Sequence, residues 1–194
     1  MMRILDIIIS VAILLCLLPF FLVIVIFIKI KSPGSAFFTQ TRIGRDQVPF
    51  KLLKFRTMHI KQPDLKNATV TMRDDPRLYG GANFLRKYKI DELPQILNVL
   101  RGEMSLVGPR PTVREDYEKM TDEQRQRAKV KPGLTGLAQI SGNTSLSWHE
   151  RIKLDLKYIR EASVWLNLQI MIKTAFLVLK GRAETHPSSE DEWS

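Results

Sequence analysis

The chain has 194 residues, enough for one domain with its own core, and its single Cys16 excludes any disulfide within the chain. Hydrophobic residues make up 44% and charged residues 26%, ordinary shares for a folded protein, so the chain as a whole is not disordered. A formal charge of +10 narrows the partners to nucleic acid, anionic lipid or phosphorylated ligands without choosing among them.

The apolar residues are unevenly spread. Ile7 to Ile28 contains no charged residue, and about 22 residues of helix cover roughly 33 Å, enough to cross a bilayer. A cleaved signal peptide fits poorly, because the stretch is long and the basic region before it is reduced to Arg3. Two features compete with a straight span. Pro19, near the middle, removes a backbone hydrogen bond and kinks or breaks the helix. Arg3 on one side and Lys29 with Lys31 on the other both favour the cytoplasmic face. A helix–break–helix hairpin that re-enters the same leaflet satisfies both ends, whereas a straight span sends Arg3 across. The residues alone leave both open. Arg3 and Asp6, three apart, are expected to pair on one helix face. Beyond the segment, Lys29, Lys31, Arg42, Arg45, Lys51, Lys54, Arg56 and Lys61 face only Asp46. Near an anionic leaflet each gains about 1 kcal/mol.

Ser32-Pro33-Gly34-Ser35 ends the apolar helix with turn chemistry. Ala36 to Ile43 and Val48 to Met58 read as two strands joined at Gly44-Arg45-Asp46-Gln47, a β-hairpin. His59 to Ala68 reads as polar loop, with His59 solvated. Leu93, Ile96, Leu97 and Leu100 repeat at helical spacing, Gly102 is the stop, and Pro94 is tolerated only in a first turn. This places a helix start at Ile90-Asp91-Glu92. A second helix begins at Ser147, with Glu150 completing a capping box and Ile152, Leu156 and Ile159 forming its apolar stripe. Val164 to Leu179 reads as a core or interfacial helix, because Lys173 near its centre makes a second span costly. Residues 184–194 form an acidic tail without apolar periodicity.

Three features carry chemistry. Asp91 and Glu92 at a helix start can divide labour between attack on phosphorus and holding Mg2+, although acidic residues are also common helix caps. Arg110, framed by Pro109 and Pro111 in Ser105-Leu106-Val107-Gly108-Pro109-Arg110-Pro111, can fork onto a phosphate. Lys131-Pro132-Gly133-Leu134-Thr135-Gly136 is a second glycine-bearing loop, with a cation and a hydroxyl but without a Walker ending. Together they point to a diphosphate site. Aromatic residues interleaved with basic ones are sparse, which argues against nucleic acid.

At these residues a resemblance becomes specific. Ile90-Asp91-Glu92-Leu93-Pro94-Gln95, Asn98-Val99-Leu100-Arg101-Gly102-Glu103-Met104-Ser105 and Val107-Gly108-Pro109-Arg110-Pro111 resemble the bacterial sugar transferases, the monotopic phosphoglycosyl transferases, in their short form. Lys54-Phe55-Arg56-Thr57-Met58, Asp75-Pro76-Arg77 and Lys131 to Gln139 match the same pattern, and the resemblance runs from Arg3 to about Gly181. It implies an α+β fold: a re-entrant membrane helix hairpin broken at Pro19 (residues 1–31), then a small, mostly helical cytosolic domain with a short β-hairpin (residues 32–183). It implies ping-pong transfer of a sugar 1-phosphate from a UDP-sugar to polyprenyl phosphate at the bacterial inner membrane, the catalytic domain facing the cytoplasm, with Mg2+ as cofactor. On that pattern Asp91 is the nucleophile and Glu92 its metal or base partner. Arg86 and Arg110 hold phosphates, and Lys54, Arg56, Lys131 and Thr135 join the substrate site. Homo-oligomerisation is left open. Two departures concern nucleotide or sugar contacts: Leu78-Tyr79-Gly80-Gly81 after the Asp75 motif, and Asn143 where relatives often carry Arg.

Overall fold

The computed structural model describes residues 2–59 and 75–183. Most of His59 to Ala68, and the acidic tail, lie outside the described residues. The apolar segment forms one helix, α1 (Met2–Lys31), with Pro19 inside it. It is long and apolar enough to cross a membrane. Helix is assigned continuously through Pro19, so the sequence expectation of a broken element is met only by a proline within one helix.

The two ends of α1 are both packed on the same body. Near the N-terminus, Asp6 and Ser10 are buried; near the C-terminus, Ile24 and Ile28 are. Between them Leu15, Leu18, Leu22 and Val23 are exposed. The expected Arg3–Asp6 pair does not form. Arg3 donates instead to the carbonyls of Val99 (2.5 Å) and Leu100 (2.9 Å), and Asp6 accepts from the Ser105 hydroxyl (2.8 Å) and the Leu106 N–H (3.1 Å). A buried carboxylate and a guanidinium each gain more from unsatisfied backbone groups than from an exposed i,i+3 pair.

The hairpin forms as expected. Strands β1 (Phe37–Ile43) and β2 (Pro49–Phe55) pair antiparallel from Phe37 opposite Phe55 to Ile43 opposite Pro49, around a 3-10 turn at Arg45–Gln47. The period of two puts Phe50, Leu52 and Lys54 on one face of β2. Phe50 and Leu52 enter the core with Val99, Met104 and Ile170, so Lys54 points inward beside them. After α2 (Ala82–Lys87) and a 3-10 turn at Ile90–Glu92, α3 (Gln95–Arg101) packs against β2. Fully buried Asn98 fixes that docking. Its amide accepts from the Leu53 N–H (3.0 Å) and donates to the Lys51 carbonyl (2.8 Å), satisfying a strand edge that would otherwise be orphaned.

The two glycine-bearing loops are more regular than their composition indicates. β3 (Ser105–Val107) and β4 (Gly133–Thr135) pair in parallel as a second two-stranded sheet. A Cβ on Gly108 would stand 2.6 Å from the Lys131 carbonyl, so this approach requires glycine. Short helices α4 (Arg114–Glu118) and α5 (Asp122–Arg125) lie between the two strands in sequence, and α6 (Leu137–Ile140) follows them. α7 (Trp148–Glu161) starts at the expected capping box, with both Ser147–Glu150 bonds present. α8 (Val164–Leu179) keeps Ile170 buried while Trp165, Ile172, Phe176 and Leu179 are exposed. The whole is α+β and mostly helical. Against α1, Phe55, Tyr79, Ala82, Leu85 and Ile90 bury Ile24 and Ile28. Gly81 (φ 94°) sits where a Cβ would meet the Phe27 ring at 2.6 Å, so Gly81 makes room for α1, whereas a Cβ at Gly80 would meet nothing within 4 Å.

Candidate active site

The acidic pair stands on the 3-10 turn rather than on the α3 cap itself. Lys89 precedes it in the left-handed region (φ 52°), and neither carboxylate makes a capping hydrogen bond. Ion pairing, not capping, is what holds Glu92. Its Oε1 accepts from the Lys54 ammonium (2.9 Å) and from Arg110 Nη2 (2.8 Å), and Lys89 Nζ lies 3.8 Å away. Burial alone would raise the Glu92 pKa, but Arg110, Lys54 and Lys89 outweigh it and hold the carboxyl well below the usual range. Glu92 is therefore a fixed anion and a poor base.

Asp91 is its opposite. It is buried, and Oδ1 has no hydrogen-bond partner. Burial raises its pKa, Lys54 works against that, and the Glu92 charge adds to it. Two adjacent carboxylates are thus driven apart, one neutralised by cations and one left with an unengaged oxygen.

Around them the cations exceed what the carboxylates need. Arg42, which sequence reasoning missed as a site residue, is half-buried and bonded to the scaffold. It donates to the Pro111 carbonyl (3.2 Å) and to Gln40 (2.6 Å), yet burial and the nearby Arg110 push its pKa down to about 10. Its signal was period-two alternation, which puts Arg42 and Gln40 on one strand face. Lys89 was missed as well; a lysine in a left-handed turn leaves no sequence pattern. Burial lowers the Lys54 pKa, with Glu92 opposing that shift. Arg86 is near enough to favour ionised Asp91.

Of the remaining predicted residues, Arg56 and Thr135 are engaged in the scaffold. Arg56 is buried and donates to the carbonyls of Ser32 (2.6 Å) and Pro33 (2.9 Å), closing the exit of α1. Lys131 lies with Arg3 and Arg45 near Asp6, and burial lowers its pKa. The Thr135 hydroxyl pairs with that of Thr174 on α8 (2.6 Å). The Asp75 motif folds onto itself, Arg77 forking on Asp75. Tyr79 donates to the Arg56 carbonyl (2.5 Å), and burial pushes its pKa up to about 12. Asn143 is buried at φ 51°. His59 is not simply solvated, since its Nδ1 lies 3.3 Å from the Ser32 hydroxyl.

Among the described residues no three His, Cys, Asp or Glu side chains gather as a metal cage. That suits Mg2+, which uses one or two carboxylates and completes its shell with water and substrate phosphate. The unpartnered Asp91 oxygen is the available donor for such a site, while Glu92 Oε1 is taken by Lys54 and Arg110 and joins it only by giving up a cation.

A family model described as bacterial sugar transferase matches residues 1–181. The UDP-glucose:undecaprenyl-phosphate glucose-1-phosphate transferase of Escherichia coli (strain K12) is 43% identical over 179 residues, covering 88% of this chain and 38% of that protein. A Caulobacter vibrioides protein of the same name is 42% identical over 182 residues, covering 89% of this chain and 67% of that protein. Galactosyl transferase CpsE of Streptococcus agalactiae is 41% identical over 162 residues, covering 78% and 36%. The chain thus spans under two fifths of the length of the first of these relatives. With the acidic pair, the proline-framed arginine and the matched span in agreement, the chain belongs to the bacterial sugar transferase family.

Proposed function

We propose that the protein transfers a sugar 1-phosphate from a UDP-sugar to undecaprenyl phosphate, releasing UMP. The observation that carries this reading is the split in the dyad: Asp91 with an unengaged, buried oxygen beside a Glu92 already neutralised by Lys54 and Arg110. Arg110 can exchange one partner for a phosphate oxygen, because its side chain is 34% exposed while that of Glu92 is 7% exposed. Lys54, Lys89, Arg86 and Arg110 supply the positive field that a diphosphate requires.

In this mechanism the ionised Asp91 attacks the sugar-bearing phosphorus. The bond from that phosphorus to the UMP oxygen breaks, and UMP leaves with the electron pair. An oxygen of undecaprenyl phosphate then attacks the same phosphorus, forming the lipid diphosphate sugar and restoring the Asp91 carboxylate. Asp91 and Glu92 would hold Mg2+, which when bound offsets phosphate charge and eases departure of UMP. The relatives' names include both glucose and galactose donors, so the sugar is a matter for assay.

The anchor reading is a re-entrant hairpin with both ends cytoplasmic. It is supported by the attachment of both α1 ends to one body, Arg3 and Asp6 at the start and Ile24 with Ile28 near the close. A straight span would separate these contacts by a bilayer. The exposed apolar face of α8 fits an interfacial position beside it. Cysteines placed before Arg3 and after Lys31 are both expected to be labelled from the cytoplasmic side; periplasmic labelling of the first would sink the hairpin. For the reaction, UMP release is measured over a panel of UDP-sugars with and without undecaprenyl phosphate. Turnover with one donor and acceptor is expected, and silence across the panel would overturn the reading.

A further inference from the structure

Arg127, in the 3-10 turn Gln126–Lys129, is buried and donates through Nη2 to two acceptors. One is Asp155 Oδ2 on α7 (2.6 Å); the other is the backbone carbonyl of Arg110 (2.8 Å). The side chains are 4% and 1% exposed. Burying such a pair is costly, and here the cost is only partly met. Arg127 Nε and Nη1 and Asp155 Oδ1 have no hydrogen-bond partner, although the guanidinium also lies over the Trp148 ring at 5.6 Å. A well-packed apolar pair of similar volume would do as well or better for stability.

What the ionic pair reaches, and an apolar pair could not, is the Arg110 carbonyl. Pro109 and Pro111 fix φ on either side of Arg110, and Pro111 confines the ψ of Arg110 to the extended range without fixing the peptide plane within it. That plane is held at its oxygen by Arg127. The next carbonyl, of Pro111, is held by Arg42. With both oxygens pinned, the Cα–Cβ direction of Arg110 is fixed, and its fork lands on Glu92 at 2.8 Å and 3.4 Å. We propose that Arg127, held by Asp155, is a positioning residue for the transfer: it locks the Arg110 peptide so that the Arg110 guanidinium stays aligned on the dyad. The proposal rests on the reading of Arg110 as a phosphate ligand, and it concerns Arg127 acting through Arg110 alone.

The test is a double-mutant cycle on full-length protein, read as kcat/KM for UMP release beside thermal unfolding. The swap Arg127→Met with Asp155→Leu removes the carbonyl donor while replacing both charges. It is expected to stay folded and to lose roughly ten- to a hundredfold in kcat/KM, the worth of a charge-assisted hydrogen bond. In an Arg110→Ala background the same swap is expected to cost nothing more, because there is no guanidinium left to align. Should the swap unfold, Arg127→Lys keeps a charge against Asp155, but its ammonium ends one bond short of the Nη2 position that serves both acceptors, and it is read in the same cycle. Full activity in the folded swap overturns the proposal. So does a loss of equal size with and without Arg110. Wild-type activity in Arg110→Ala alone marks a different failure, that of the phosphate reading, and removes the proposal with it.

Discussion

Two buried ionic clusters meet at Arg110 and are built on different terms. Around Glu92, three cations serve one carboxylate, while the neighbouring Asp91 keeps an oxygen with no partner. Around Asp155, one buried arginine faces one buried carboxylate, and its remaining bond goes to backbone. The first cluster is unbalanced by a surplus of positive charge at one point and an unused acceptor at the next. The second is matched one charge to one, and its unpartnered atoms, Arg127 Nε and Nη1 and Asp155 Oδ1, lie on side chains that are only 4% and 1% exposed. An unbalanced cluster is stable only as far as a ligand or the surrounding field completes it, which is the condition expected of a site that receives a diphosphate. A charge-matched pair buried this deeply is out of a ligand's reach, and its role is geometric.

The sharpest break of this contrast is Asp91→Asn. It keeps the shape of the side chain and removes the attacking anion, so UMP release is expected to vanish while the protein remains folded. Because burial disfavours the Asp91 charge, the folded state is expected to gain stability, each kcal/mol relieved raising Tm by about 2–4 °C. Intact-protein mass after exposure to donor alone reads the chemistry directly: a phosphosugar adduct on the wild type, none on the variant. An adduct on the variant would remove Asp91 as nucleophile.

Glu92→Gln is expected to act in the opposite sense on stability. It leaves Lys54 and Arg110 around a neutral amide, and breaking a buried pair in this way costs about 3–5 kcal/mol. A clear fall in Tm, with activity strongly reduced, is the expected result; an unchanged Tm would mean that the cluster is not held by charge.

These two residues also show how far the sequence could be read. Asp91, Glu92 and Arg110 were legible because prolines and a helix start mark them locally. The capping box at Ser147, the hairpin and the full extent of α8 were legible for the same reason. What could not be read depends on residues far apart in the chain. Asn98 as a substitute strand edge, the parallel pairing of β3 with β4 and the hold of Arg3 and Asp6 on residues 99–106 all join distant segments. Arg56, Lys131 and Thr135 carry the right chemistry for a phosphate site. A guanidinium or hydroxyl in a motif looks the same, however, whether its acceptor is substrate or its own backbone.

Arg110→Ala tests the junction of the two clusters. Loss of a charge-assisted fork is expected to lower kcat/KM by one to two decades, roughly 1.5–3 kcal/mol, and Arg110→Lys is expected to recover little because an ammonium cannot reproduce the fork. Wild-type kinetics in the lysine variant would take Arg110 out of the site. The smallest effect is expected at Lys89, the loosest partner of Glu92 at 3.8 Å. Lys89→Gly removes the charge but suits the positive φ of 52°. Activity is therefore expected to fall severalfold with Tm nearly unchanged. A large drop in Tm would show that the Lys89 charge, not the turn geometry, secures the dyad.

That Ile24, Ile28 and Ile90 share one buried cluster has a consequence for traffic through the site. Ile90 is the residue before Asp91, so α1 and the nucleophile are tied to one buried cluster. On the proposed function, a lipid acceptor never has to leave its leaflet to be reached. It arrives by diffusion in two dimensions. The nucleotide donor comes from three. The protein then works as a fixed landing stage between a plane and a volume, and any change that tilts α1 alters which lipids can reach the site before it alters the chemistry.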